Sequence, residues 1–364
     1  MHPFSIALRG ASMCCVAVAV HAQTQPSLPL AAQTAQAGRP VPGPVYEIPE
    51  FTRAVARGTR TRTGAPGSAY WVQHARYTID ARLDSASSRI SASEQVVYLN
   101  NSPDTLRRLA IHLRQNAFAA GNPRRQSATI TGGVALGRVV VNGSVVGPRS
   151  TGVAVVPITD VAKQTISVDR GYTIDGTVMW LPLATPLLPH DSARLEIAWS
   201  YVPPPSPSDG RQGREGSNLF ITGYWYPQVA VYDDVHGWVA DPYLLEAEFY
   251  MDPADYDVRL TVPRGWVVGA TGALANPGEV LTPATRARLA DARRTGAVVH
   301  VVEPENAAQS LADHGATATW HFVARDVRDF AWATSNQYVW DATRALVGGG
   351  SAGAPRDTVD IYSY

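Results

Sequence analysis

Cysteine is almost absent from this chain of 364 residues, and the two that occur, Cys14 and Cys15, lie near its N-terminus. Residues 1–22 around them have the pattern of a secretory signal peptide. A weakly basic start is followed by a short apolar run, Ala11–Val20, and by a small-residue cleavage position at Ala22. Removal of this segment would leave neither a thiol nor a disulfide. The exported chain would then be stabilised by packing alone, even in an oxidising compartment.

These features predict a secreted or periplasmic protein. A lipoprotein signal that uses Cys14 or Cys15 is the alternative, but Ala11 stands three residues before Cys14, where leucine is usual. The apolar run is too short to span a bilayer, so we expect no membrane span after removal of the signal. Residues 23–69 are dominated by Gln, Pro, Ala, Thr and Gly, which predicts a disordered linker.

Lysine is also scarce, because Lys163 is the only one and the other basic residues are scattered arginines. The 31 basic and 31 acidic residues give a formal net charge of +0. A nucleic-acid surface needs basic charge on one face, so no nucleic-acid partner is predicted. Lys163 has no glycine-rich phosphate loop around it, which excludes the common nucleotide-binding motif.

Recognisable catalytic motifs are missing as well. No histidine is followed by glutamate and no two histidines are four residues apart, so the zinc-binding pattern His-Glu-x-x-His is absent. No Gly-x-Ser-x-Gly nucleophile elbow occurs. The histidines downstream of residue 100 form no ligand set by spacing: His112, His190, His236, His300, His314 and His321. We therefore predict no catalytic residue, no metal ligand and no cofactor within this chain.

What the sequence does contain is a long series of strand signals, from residue 70 to about 325. Tyr77–Leu83 alternates between polar and apolar residues, as a strand does. The apolar residues of Leu106–Leu113 fit the periodicity of a helix as well as that of a strand, but turn residues bound this short segment, which favours a strand. Asn142 and Gly143 predict a two-residue hairpin turn, since both tolerate positive φ.

One helix is predicted in this half, with Thr282 as its N-cap, Pro283 as its first residue and Gly296 at its end. Many short strands and almost no helix predict a mainly β fold, namely a large sandwich or saddle of stacked antiparallel sheets. From residue 326 the alternation of polar and apolar residues ends and Asp, Ala and Trp become frequent, so we place the start of a second domain there.

The aromatic stretch Leu219–Leu274 contains three tryptophans, Trp225, Trp238 and Trp266, together with a cluster of tyrosines. Exposed and coplanar rings there would form a sugar-stacking platform, which is the basis of one functional hypothesis: a carbohydrate-binding or cell-surface adhesion β-module without catalysis. The other interpretation is that the rings fill the core, since each buries about 150–250 Å².

Several short segments occur in the order found in the N-terminal β-domain of the aminopeptidase N family, the gluzincin zinc metallopeptidases. The resemblance covers roughly residues 70–364 and depends on the order of the segments, since no single motif is strong. The segments are Leu109–Leu113 with Asn116–Phe118, Leu188–Ser192 with Leu195–Trp199, Tyr226–Pro227, Asp233–Asp234, Ala247–Phe249, Tyr256–Pro263 and Asp329–Ala333.

The resemblance implies that residues 70–325 are the N-terminal β-domain and residues 326–364 the truncated start of the catalytic domain. In the family the zinc-binding helix lies well after the point corresponding to Tyr364. The chain is thus interpreted as the non-catalytic front part of an exported zinc metallopeptidase, packed on its own catalytic domain. The full-length protein would bind zinc and hydrolyse peptide substrates, and the chain alone is expected to be inactive.

One substrate-binding residue, Gln228, follows from the resemblance. In the family this β-domain provides a Gln or Glu that accepts hydrogen bonds from the α-amine of the peptide, and Gln228 follows Tyr226 and Pro227 in the corresponding region. The neighbouring acids Asp233 and Asp234 point to opposite faces if extended, so they cannot act as a dyad. The simpler interpretation is that they bind local backbone amides in a turn.

Overall fold

Strands dominate the residues that the computed structural model describes, which are 46–149, 171–205, 211–246, 249–312, 315–348 and 356–364. The predicted signal peptide 1–22 and the first part of the predicted linker lie outside them. The predicted mainly β fold of stacked sheets is confirmed. The described helices are α1 (Pro49–Ala56), α2 (Pro277–Val280), α3 (Pro283–Thr295) and α4 (Ala307–Ser310), with 3-10 helices at Arg114–Phe118 and Pro304–Asn306.

The described strands, in chain order, are β1 (His74–Asp84), β2 (Arg89–Leu99), β3 (Leu106–His112), β4 (Ala135–Val141), β5 (Ser144–Val145), β6 (Thr173–Asp175), β7 (Val178–Leu187), β8 (Ser192–Tyr201), β9 (Gln212–Glu215), β10 (Leu219–Thr222), β11 (Gln228–Val229), β12 (Val231–Asp233), β13 (Gly237–Val239), β14 (Ala254–Pro263), β15 (Val267–Ala270), β16 (Ala273–Leu274), β17 (Val299–Val302), β18 (Thr317–Val327), β19 (Trp332–Ser335), β20 (Trp340–Gly348) and β21 (Arg356–Ser363).

The largest sheet has eight strands in the order β16-β18-β14-β1-β2-β8-β4-β5. Its neighbours are antiparallel except for β1 and β14, which are parallel. In β1 every second residue is buried, so Tyr77, Ile79, Ala81 and Leu83 face inward. This follows from the alternation in the sequence, because successive side chains of a strand point to opposite faces.

Smaller sheets stack against this one. Their orders are β15-β19-β10-β9, β11-β3-β7-β6 and β17-β20-β21, and β12 pairs with β13. One cluster of buried apolar side chains joins the inner face of the large sheet to β3 and β7; it includes Ile79, Val258, Leu109, Ile111 and Met179. The core of the β fold therefore lies between the sheets, as in a sandwich.

Two local predictions are confirmed by backbone geometry. Asn142 and Gly143 have φ of 48° and 82° and connect β4 to β5. Thr282 caps α3 by accepting a hydrogen bond from the backbone N–H of Thr285, and Gly296 ends the helix with φ of 68°. The segment Leu106–Leu113, whose sequence fitted either a helix or a strand, contains strand β3 as predicted.

The predicted linker contains ordered structure from residue 49 onward. Helix α1 lies within it, and Pro49–Tyr364 form one compact unit. Arg60 explains part of this order, because its guanidinium donates to both carboxylate oxygens of Asp234 at 2.8–3.1 Å and lies 4.7 Å from the Tyr70 ring centroid. The amino-acid composition of the linker does not predict a contact between residues so far apart in the chain.

The proposed domain boundary near residue 326 stays a prediction. Strand β19, which follows it, pairs with β10 and β15 from before it. In the described parts of the chain, no helix is both long enough and apolar enough to cross a lipid bilayer.

Candidate functional site

Gln228 lies on β11, at the edge of its four-stranded sheet and opposite His112 of β3. Pro227 precedes it, and a proline cannot donate to a sheet ladder, which fits an edge position. The Gln228 side chain is nevertheless only 4% exposed. A buried carboxamide must find hydrogen-bond partners, so its neighbours define the site.

Both ends of the Gln228 carboxamide are engaged. Its Oε1 accepts a hydrogen bond from Arg114 Nη1 at 2.5 Å, and its Nε2 donates to the Tyr226 hydroxyl at 3.0 Å. Nε2 also lies 3.4 Å from the carbonyl oxygen of Arg328. The side chain thus contacts the segment that the sequence assigns to the start of the second domain.

Arg114 is the functional candidate that sequence reasoning missed. It begins the 3-10 helix Arg114–Phe118, all five residues of which are buried, and its own exposure is 2%. Its guanidinium carbon lies 4.6 Å from the Phe249 ring centroid and 5.1 Å from that of Tyr224. Burial lowers the pKa of this guanidinium. The available signal in the sequence was the position of this charged residue, directly after the mainly apolar segment Leu109–Leu113.

A chain of hydroxyl groups continues from Gln228 to Asp329. The Tyr226 hydroxyl donates to Asp329 Oδ1 at 2.8 Å and lies 2.8 Å from the Tyr256 hydroxyl. Burial raises the pKa of both tyrosines, and the nearby Asp329 carboxylate raises them further. Both phenols therefore stay protonated at neutral pH and serve as hydrogen-bond groups.

The adjacent acids Asp233 and Asp234 do not act together. Asp234 pairs with Arg60, whereas Asp233 accepts hydrogen bonds from the backbone N–H groups of Val235 at 3.0 Å and His236 at 2.6 Å. The predicted turn role of Asp233 is confirmed. Asp233 also accepts a hydrogen bond from the Tyr250 hydroxyl.

The aromatic residues of the stretch Leu219–Leu274 are mostly core residues. Trp225, Tyr226, Tyr243 and Trp266 are 1–5% exposed. Trp238 is only partly buried, and its ring meets that of Tyr232 at 62°. No exposed coplanar platform forms at Trp225 and Tyr226, so the rings stabilise the interior there.

No group of three or more His, Cys, Asp or Glu side chains that could hold a metal ion comes together within the described ranges. His112 is 5% exposed; burial and the neighbouring Arg114 lower its pKa to about 3. This ring is therefore neutral at physiological pH. The described residues do not fit a zinc site.

Asp252 provides a test of the electrostatics near this site. Its pKa is raised to about 7, mainly by burial and then by the Asp233 carboxylate. We expect ¹³C NMR to show its carboxyl titrating near that value and Asp233→Asn to lower the midpoint. Because the folded-state pKa exceeds the ordinary value, Asp252 makes stability fall as pH rises from about 4 towards 7. The exposed Asp175→Asn is the control; an Asp252 midpoint near 4 would contradict this.

Comparison with known proteins gives a distant likeness only. No family profile and no curated protein matches the chain. Its fold is similar to crystal structures of an M1 zinc metallopeptidase from Deinococcus radiodurans, at 15% identity over 79% of this chain, with a TM-score of 0.37. A mutant bound to a Tyr-Ser-Ala substrate matches at 13% identity over 81% of the chain, again with a TM-score of 0.37.

The chain spans about half the length of these solved structures, 47% and 49% respectively.

Proposed function

We propose that this chain is the non-catalytic β-domain portion of an exported zinc metallopeptidase of the aminopeptidase type. The observation that supports it best is the position of Gln228. Gln228, which follows the family-like segment Tyr226–Pro227, contacts Arg328, and its partner Tyr226 binds Asp329 of the family-like segment Asp329–Ala333. Two segments 100 residues apart that resemble the family thus meet at one polar cluster.

Zinc chemistry is not assigned to any residue described here. In the proposed full-length enzyme a zinc-bound water would be the nucleophile, and the residues that bind the zinc ion would come from elsewhere in the protein. The contribution of this chain would be substrate binding and a surface that packs on the catalytic domain.

Gln228 can take part in substrate binding without losing its present partner. A carboxamide oxygen has two lone pairs, and the hydrogen bond from Arg114 uses one of them. The second could accept a hydrogen bond from the α-amine of a peptide. The positive charge of Arg114 opposes an ammonium group, so a neutral amine would be accepted more readily.

The proposal predicts the outcome of three measurements: the zinc content of the chain, its cleavage of aminoacyl substrates, and the coding sequence downstream. The chain of residues 23–364, purified in the presence of zinc, should hold no stoichiometric zinc by atomic absorption and should cleave no aminoacyl substrate. The coding region beyond the Tyr364 codon should encode His-Glu-x-x-His in frame. One tightly held zinc per chain, or the absence of that motif, would refute the proposal.

The role of Gln228 is tested in the full-length enzyme. Gln228→Ala should lower kcat/KM for free-amine peptides about two- to tenfold, the effect of losing one hydrogen bond between neutral groups. N-acetylated peptides should be unaffected. The exposed Gln95→Ala is the matched control, and thermal unfolding of both variants separates a loss of folding from a loss of binding. An unchanged preference for the free amine would remove Gln228 from the site.

A further inference from the structure

A cavity of about 530 Å³ opens beside the polar cluster. Phe249, which contacts Arg114 of that cluster, forms part of its lining. We call this cavity the aromatic pocket. Its lining includes three aromatic side chains, Trp238, Phe249 and Tyr250, and two carboxylates, Asp241 and Glu246. A pocket that combines several ring faces with a few polar groups is a typical ligand site.

The charged groups of the aromatic pocket favour one kind of ligand. Asp241 and Glu246 are exposed at the surface, and neither lysine nor arginine is among the described residues that line the cavity. Tyr250 uses its hydroxyl hydrogen to bind Asp233, so a ligand would meet the oxygen as an acceptor. Apart from His236, whose ring lies 3.3 Å from the Asp233 carboxylate, the lining thus offers negative charge and hydrogen-bond acceptors.

His112 adds a buried acceptor to the same lining. It is 5% exposed, and it forms a hydrogen bond with the backbone of Val239. Its Nδ1 has no hydrogen-bond partner within the described part of the chain. Because the ring is neutral, that nitrogen accepts and does not donate, like the rim carboxylates.

Two arginines near the pocket do not reverse this balance. Arg114 lies against Phe249 and outside the lining; its charge opposes a cation at that ring, but the two carboxylates in the lining outnumber it. Arg125 approaches Glu246 at 3.8 Å, but both side chains are at least half exposed. Such a surface pair contributes little and can be displaced.

We propose that the aromatic pocket binds the cationic side chain of an arginine or lysine residue in a peptide. The rings of Trp238 and Tyr250 attract a cation through their faces, and the rim carboxylates Asp241 and Glu246 provide the counter-charge. The aliphatic part of such a side chain covers apolar ring surface while its head stays at the rim. This inference needs no catalysis and is independent of the peptidase proposal.

The test is calorimetric titration of the purified chain with N-acetyl-arginine amide and with its neutral isostere, N-acetyl-citrulline amide. We expect the arginine compound to bind at least about tenfold more tightly, and the double variant Asp241→Asn, Glu246→Gln to reduce the difference. Asp175→Asn, an exposed carboxylate on β6, should leave it unchanged. Equal binding of the two compounds, or no binding of either, would overturn the proposal.

Two substitutions of Tyr250 distinguish the contribution of its ring from that of its hydroxyl group. Because the residue is half exposed, neither is expected to disturb folding. Tyr250→Phe keeps the ring and should keep arginine binding, whereas Tyr250→Ala should weaken it about three- to tenfold. Indole NMR signals should show that Trp238 is perturbed by the arginine compound. Identical affinities for the two Tyr250 variants would exclude an aromatic contribution from this ring.

Discussion

Replacing Trp225 with alanine is expected to lower the free energy of unfolding by about 3–5 kcal/mol, the usual cost of removing a large buried aromatic side chain. Trp225 is 1% exposed, and its ring packs against Trp199, Tyr226 and Trp332. Its indole N–H donates to the carbonyl of Phe330 at 2.9 Å. The substitution therefore leaves both a cavity and an unpaired buried carbonyl group.

Urea unfolding followed by circular dichroism measures this loss. Trp225→Phe should cost less, because it keeps most of the apolar volume and loses only the indole N–H group. Trp180→Ala is the control of matched type, since Trp180 is partly exposed on β7. If Trp225 served mainly as a glycan-stacking residue, Trp225→Ala would be no more destabilising than Trp180→Ala, and that result would contradict its assignment to the core.

The parts of the fold that sequence predicts well are those set by neighbouring residues. Alternation defines β1, and the positive φ that Asn142 and Gly143 tolerate defines the β4–β5 turn. Thr282 and Gly296 mark the ends of α3 because capping involves only atoms a few residues away. Each of these signals is complete within a short window.

The candidate site is less predictable because its partners are distant in the chain. Pro227 fits an edge position for Gln228, because a proline cannot donate to a sheet ladder, and β11 is an edge strand of its sheet. The partner Arg114 is separated from Gln228 by 114 residues, and the two meet only after β11 pairs with β3. No local pattern reports that Gln228 Oε1 faces a buried cation.

Glu94 is a case in which the local pattern held the information. It lies on β2 with the same parity as Ile90, Val96 and Tyr98, all of which are buried. Parity therefore directs Glu94 inward, where it is 2% exposed. Its partners across the large sheet are Ile79 of β1 and Ile197 of β8.

Neither carboxylate oxygen of Glu94 has a hydrogen-bond partner in the described part of the chain. Burial raises the pKa of this carboxyl well above its ordinary value, so the folded protein holds it protonated when the unfolded chain would ionise it. The folded state then binds the extra proton. Stability should consequently decrease as pH rises from about 4.5, by up to about 1.4 kcal/mol per pH unit until the folded-state pKa is reached.

Replacing Glu94 with leucine should therefore stabilise the protein. We expect a gain of about 1–3 kcal/mol at pH 7, the cost of burying a polar group without a hydrogen bond. The gain should grow between pH 5 and pH 8, because only the wild-type chain pays for protonation. Urea unfolding across that range measures it. Glu94→Gln should also flatten the pH dependence, whereas Glu196→Gln, whose side chain on β8 is 52% exposed, should leave the wild-type slope intact. A destabilised Glu94→Leu variant, or equal slopes for the two glutamine variants, would show that Glu94 has a partner in solution that keeps it ionised.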